Sequence, residues 1–228
     1  MRAFARSLLT VALVLVLSPG LAGASVLAQS TFDTDVDGWT TFLVTAGNPL
    51  SNIAFAAASG NPGGAARHDA PSDGLTSYFR GPSKFHSAFH SAVGGSVSWD
   101  IATINHSGDT FFRSSDLTIL AGVNRIRLYV TPPVPIFPTY SEYEADFTTA
   151  AGWFFFDGVT ETVATQSQID AVLLGADWFS IRAEYWSSAT PDITFLDNVV
   201  VRGVPEPASL LLLGLGATAL FFGTRRRH

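Results

Sequence analysis

Ser96-Val97-Ser98-Trp99-Asp100-Ile101 sets small or polar residues against large apolar ones at every second position. In an extended chain that period sends alternate side chains to opposite faces, so the segment reads as a half-buried strand with Val97, Trp99 and Ile101 inward. The alternation returns at Arg125-Ile126-Arg127-Leu128-Tyr129-Val130 and at Ser180-Ile181-Arg182-Ala183-Glu184-Tyr185. Shorter strand candidates are Thr41 to Val44, Asn52 to Ala58, Ser77 to Arg80, Asp116 to Leu120, Ser141 to Thr149, Trp153 to Phe156 and Ile193 to Val201. Turn clusters such as Gly60-Asn61-Pro62-Gly63-Gly64 and Thr131-Pro132-Pro133 separate them. Many short strands with polar outer faces predict an all-β fold, an antiparallel sandwich. One helix is expected, Ser167 to Leu174, where Ser167 and Asp170 have capping-box spacing. It would connect strands across a sheet end.

The 228 residues include 13 Lys and Arg, 19 Asp and Glu, and no cysteine. The two ends hold five of the arginines and Glu206, which leaves 8 basic against 18 acidic residues in the middle. An acidic body with one lysine, Lys84, argues against binding a phosphate backbone, which needs clustered positive charge. Its length suits one domain with a real core. Without cysteine, disulfides, thiolate zinc sites and cysteine nucleophiles are all excluded.

Both ends read as addresses. Arg2 and Arg6 precede the apolar run Leu8 to Leu17, then Ser18-Pro19-Gly20 and small residues ending at Ala24 or Ala28. This is the pattern of a secretory signal peptide with a signal helix, assigned to residues 1–28; an uncleaved anchor is the alternative. At the other end Val204-Pro205-Glu206-Pro207 precedes an apolar stretch from Leu210 to Gly223 and then Arg225-Arg226-Arg227. A helix from Ala208 to Gly223 would rise roughly 24 Å, enough for a short single transmembrane helix with flanking residues snorkelling. The arginines would stay cytoplasmic as a stop-transfer cluster.

Tetrapeptide, span and basic cluster together resemble the PEP-CTERM sorting signal, here residues 204–228. With signal peptidase acting at the N-terminal segment, the resemblance implies recognition by an exosortase, transient anchoring in the inner membrane and delivery to the cell surface or extracellular matrix of a Gram-negative, exopolysaccharide-making bacterium. A permanent anchor is the alternative. Between the signals, over 29–203, six segments in order are similar to the laminin B, or laminin IV type A, domain: Asp37-Gly38-Trp39, Gly60-Asn61-Pro62-Gly63-Gly64, Tyr78 to Phe85, Gly94 to Asp100, Ile181 to Tyr185 and Leu196-Asp197-Asn198-Val199. That family implies a jelly-roll-like sandwich related to carbohydrate-binding modules and without known catalytic residues. In animal laminins the domain interrupts cysteine-rich repeats. Here it stands alone, so the animal proteins' matrix partners do not carry over.

Asp33, Asp35, Asp37 and Gly38 reproduce the first half of an EF-hand loop, but Val44 stands where the bidentate glutamate should be. Jelly-roll modules that resemble this one hold a structural calcium between an N-terminal acidic segment and the last strand, which nominates Asp33, Asp35 and Asp197; the plainer reading is turn-forming acids. His86 and His90 read as loop histidines, with no glutamate base between them. His68 with Asp69 and His106 with Asp109 could be drawn as dyads, yet no Gly-x-Ser-x-Gly elbow accompanies them. Glu142 and Glu144 share a strand face at glycosidase-like separation, as solvated surface acids commonly do. Trp39, Trp153, Trp178 and Trp186 with Tyr140 and Tyr143 could build a sugar-stacking platform. Trp99 reads as core and Trp186, beside Ser187 and Ser188, as the stacking residue. The expectation is an exported, non-catalytic surface or matrix protein, adhesive or exopolysaccharide-binding. A secreted glycan-active enzyme and a self-associating structural protein are the alternatives.

Overall fold

The computed structural model describes residues 24–43, 53–70, 75–104, 110–130, 136–187 and 192–204. Val26–Val204 forms one compact unit. The signal segment before residue 24 and the tail from Pro205, with Arg225 to Arg227, lie outside the described residues, as do His106 and Asp109. Among the described residues no helix is long and apolar enough to cross a membrane.

Two antiparallel sheets carry the chain. The strands of the first are β1 (Val26–Ser30), β3 (Ala54–Gly60), β4 (Gly63–Ala70), β6 (Ser96–Ile104), β10 (Ser141–Asp146) and β15 (Asp192–Arg202). They run β10-β6-β15-β4-β3, and β1 pairs with the far half of β15. The second sheet contains β2 (Thr40–Leu43), β5 (Ser77–Arg80), β8 (Leu117–Ala121), β9 (Asn124–Leu128), β11 (Phe154–Phe156), β12 (Glu161–Val163) and β13 (Trp178–Arg182), in the order β12-β11-β9-β8-β13-β5-β2. A small ribbon joins β7 (Thr110–Phe111) to β14 (Trp186–Ser187).

β6 is buried on both faces rather than half-buried, with Ser96, Ser98 and Asp100 covered on its outer side, and its alternation sends Val97, Trp99 and Ile101 into the core as predicted. Phe79, Ile119, Ile126, Phe179 and Ile181 meet them from the second sheet. Phe179 is the hub of the aromatic packing. Its ring lies 5.6 Å from Trp39, 5.5 Å from Phe85 and 5.0 Å from Phe89. Gly81 leaves room for it, since a Cβ there would stand 2.4 Å from the Phe179 ring.

Four local differences from the sequence reading have physical causes. His86 and His90 lie on a helix, α1 (Lys84–His90), because Phe85, Ala88 and Phe89 recur at helical spacing and are buried. The expected helix exists as α2 (Gln166–Leu174) but is entered two residues earlier. There the Gln168 N–H donates to the Thr165 hydroxyl, and Gln168 Oε1 accepts from the Thr165 N–H, closing a capping box. The strand expected from Ser141 to Thr149 stops at Asp146 and turns through a 3-10 segment, Thr149–Ala151. Five strands have no counterpart among the expected ones: β1, β4, β7, β12 and β14. β4 starts inside the glycine cluster, and β1 lies in what looks like the end of the signal segment.

Candidate functional site

Register across the second sheet builds one row from six strands: Thr40, Arg80, Ser180, Thr118, Arg127 and Phe154. Directly paired residues share a face, and neighbours one step along (Phe79, Ile181, Ile119, Ile126) fill the core, so this row faces outward. On one flank Phe42 pairs with Tyr78 and Tyr78 with Arg182, and on the other Trp178, Leu120, Arg125 and Phe156 pair in turn. A groove of about 160 Å³ lies among them. One wall is aromatic: Trp178 stands edge-on to Phe42 at 4.7 Å, and Phe42 stacks on Tyr78 at 5.4 Å. The floor is hydroxylic, from Thr118 and Ser180, and among the described residues the buried Ser180 hydroxyl has no hydrogen-bond partner. Arg125 and Arg127 form the opposite wall, 4.9 and 4.6 Å from the Phe156 ring.

A second hollow of about 310 Å³ adjoins it, lined by Phe111, Arg113, Tyr129, Asp116 and Arg182 among others. The Tyr78 hydroxyl, bonded to that of Ser114 at 2.6 Å, stands between the two. Arg182 is fully buried and lies between aromatic rings, 4.5 Å from both Phe112 and Tyr185. Its Nε donates to the Glu184 carbonyl, and Asp116 sits 3.7 Å from its Nη1. Burial pushes the Asp116 carboxyl up to about 6, against the pull of the Val130 N–H and Arg182. Burial, and then the neighbouring Arg127, pull the Arg125 guanidinium down.

The residues nominated from sequence fall elsewhere. Trp186 is half-buried: its indole N–H donates to Thr103 Oγ1 at 3.2 Å, and its ring packs edge-on to Phe111. Trp39, Trp99 and Trp153 are core. Tyr143 stacks on Trp99, and the Tyr140 hydroxyl donates to the Ser59 carbonyl. Of the candidate platform, Trp178 alone lines the groove. Glu142 and Glu144 are exposed on β10, on the outer face of the other sheet, where Glu144 accepts from Ser96. His90 Nε2 lies 3.0 Å from the Ala176 carbonyl, and His68 is in the core.

Asp197 comes together with Asp33 but not with Asp35. Its backbone partner on β6 is Asp100, and both carboxylates are buried. The Asn61 and Asn198 N–H groups donate to Asp197, while both asparagine amides donate to Asp100. Gly60 makes this closeness possible, since a Cβ there would meet Asp197 Oδ2 at 2.8 Å. Burial raises the Asp197 carboxyl to about 6, with Asp100 and Asp33 adding to the shift. Asp33 accepts from Thr31 and reaches toward Gly63, whereas Asp35 accepts the Asp37 N–H in a surface turn. Among the described residues no three carboxylate or histidine groups are placed to hold a metal by themselves.

Residues 203–227 match the PEP-CTERM protein-sorting motif. For the body, the structure of the L4b domain of human laminin alpha-2 is similar, with a TM-score of 0.56 at 13% identity over 78% of this chain and 97% of that one. A weaker likeness, TM-score 0.46 at 14% identity, relates it to the N-terminal CBM22-1-CBM22-2 tandem domain of Xyn10C from Paenibacillus barcinonensis, over 82% of this chain and 51% of that one. Among curated proteins none matches the sequence. The chain is thus a laminin-like β-sandwich followed by a sorting motif that marks an exported, cell-surface protein.

Proposed function

We propose that the sandwich binds polysaccharide at the cell surface or in the extracellular matrix, without catalysis, in the groove on the outer face of its second sheet. The observation that carries this is the composition of the groove: an aromatic wall of Trp178, Phe42 and Tyr78 beside the unpartnered Ser180 hydroxyl and an arginine wall. Flat rings cover the C–H faces of pyranoses, and a few fixed polar groups orient the hydroxyls. The test is affinity electrophoresis of the full chain through gels containing neutral and acidic polysaccharides. Retardation that Trp178→Ala abolishes supports the reading, and unchanged mobility in every gel contradicts it. The enzymatic alternative would need turnover dependent on Glu142 and Glu144, which face away from the groove. The self-associating alternative would show concentration-dependent assembly without any sugar. Tail processing by an exosortase, with the membrane contacted transiently through the apolar tail, completes the proposal.

A structural calcium at the Gly60 turn is a second proposal. Two buried carboxylates, Asp100 and Asp197, adjoin there, and among the described residues no lysine or arginine pairs with either. Turning over the Asn61 and Asn198 amides would present oxygens in place of N–H groups, giving the all-oxygen set calcium prefers. Those four residues would hold the ion, with Asp33 at the margin. Calcium would supply charge compensation and rigidity.

The signal peptide, we further propose, is cut after Ala24. Cleavage after Ala28 would remove Val26, Leu27 and Ala28 from β1, which pair with the last strand through Val26–Arg202 and Ala28–Val201. Cleavage after Ala24 leaves that strand whole.

A further inference from the structure

We infer that the groove selects a carboxylated polysaccharide, with Arg125 reading the carboxylates while Trp178 covers the sugar faces. This rests on the polysaccharide-binding reading and adds to it a ligand class.

The distribution of charge carries the inference. The middle of the chain is strongly acidic, yet five of its eight basic residues, Arg80, Arg113, Arg125, Arg127 and Arg182, stand on one sheet face or its rim. Two carboxylates on that face are already engaged: Asp116 beside Arg182, and Glu161 with Arg127 at 2.8 Å and with the Tyr129 hydroxyl. Among the described residues no carboxylate lies within ion-pair distance of Arg80, Arg113 or Arg125. Arg125 is the sharpest case. It lies alongside Arg127 over the same Phe156 ring, and its Nε is shielded from solvent with no acceptor among the described residues. A half-buried guanidinium beside a like charge is stabilised by a carboxylate, which its planar fork engages through two parallel hydrogen bonds.

Spacing favours a sugar chain over a free anion. Trp178 and Arg125 belong to one row, separated by Leu120, so two strand spacings set them about 9.6 Å apart. A single small anion cannot touch both, whereas a polymer of pyranose rings with a carboxylate on each ring can. The sorting motif marks the chain for export, away from the cytoplasmic pool of nucleic acid. That favours an acidic polysaccharide over a nucleic acid. The concentration of arginine on one face of an acidic body also repels other copies of the chain less there than elsewhere and draws polyanions to this face.

The experiment is calorimetric titration of the full chain in mild detergent with alginate and polygalacturonate, each against its esterified, uncharged form. Dextran, dextran sulfate and single-stranded DNA serve as comparators. The expected result is binding to at least one uronate chain that weakens roughly tenfold or more on esterification, and by a similar factor in Arg125→Gln, with Arg125→Lys intermediate. Unchanged melting temperatures of both variants show that they are folded. Equal binding of charged and esterified chains overturns the carboxylate inference and leaves the polysaccharide reading standing. Binding to no polysaccharide overturns both. Dextran sulfate or DNA bound as tightly as uronate, without dependence on Trp178, reduces the face to a non-specific ion exchanger and also overturns the inference.

Discussion

His68 places a titratable ring inside the core, and acid should expose its cost. It is 1% exposed on β4, edge-on to Phe79 at 6.1 Å, and among the described residues neither ring nitrogen has a hydrogen-bond partner. Burial lowers its pKa from 6.5 to about 4, with Asp69 opposing weakly. Between those values the unfolded chain takes up a proton that the folded chain excludes. The contribution is therefore intact above pH 6.5 and is lost as the pH falls towards 4. At pH 4.5 linkage gives a loss of about 2.5 kcal/mol relative to neutral pH. Asp116 and Asp197 act in the opposite sense. Their carboxyls are raised from 3.8 to about 6, so protonation on acidification favours the fold, by about 2 kcal/mol each at pH 4.5 on the same linkage, and together they mask the histidine's loss in the wild-type profile. Comparison with His68→Leu isolates the histidine. In urea unfolding at pH 7.5 and 4.5, the stability of the variant relative to wild type should rise by about 2.5 kcal/mol on going to the acid side. Parallel profiles for the two proteins would refute the reasoning.

Phe179→Ala should cost about 3–5 kcal/mol in chemical denaturation, because it leaves a cavity among Trp39, Phe85 and Phe89; a cost below 1 kcal/mol would mean the hub is not packed as described. Calcium should raise the melting temperature of wild type but not of Asp197→Asn, and a chelator should reverse the rise. An equal rise in both proteins would remove the proposed site. N-terminal sequencing of the exported protein should begin at Ser25, and a start at Gln29 would contradict the argument from β1.

Legibility followed the locality of the signal. The strand at Ser96 to Ile101 could be read because its apolar residues enter the core while Ser96, Ser98 and Asp100 take the other face, so the pattern is complete within six residues; the burial of that other face had no local sign. The α2 helix showed through its spacing, although Thr165 rather than Ser167 caps it. β4 was hidden because it opens on glycines that also serve a turn, and β1 because an apolar strand and the end of a signal peptide share a composition. Phe85 and Phe89 at helical spacing were the available sign of α1, overshadowed by the histidines between and after them. The groove had no local sign at all. Phe42, Tyr78, Thr118, Arg125 and Trp178 come from five separate strands, and only the pairing register brings them to one face. Trp186 drew notice through its serine neighbours, yet Thr103 and Phe111 hold it against the sandwich.

The most direct test of the central claim compares Trp178→Ala with Trp186→Ala in titrations against the same polysaccharide. Loss of a stacking face is worth about 1 kcal/mol or more, so Trp178→Ala should weaken binding roughly fivefold or more while Trp186→Ala binds as wild type does. Undiminished binding by Trp178→Ala, or a loss confined to Trp186→Ala, would contradict the placement of the site on the outer face of the second sheet.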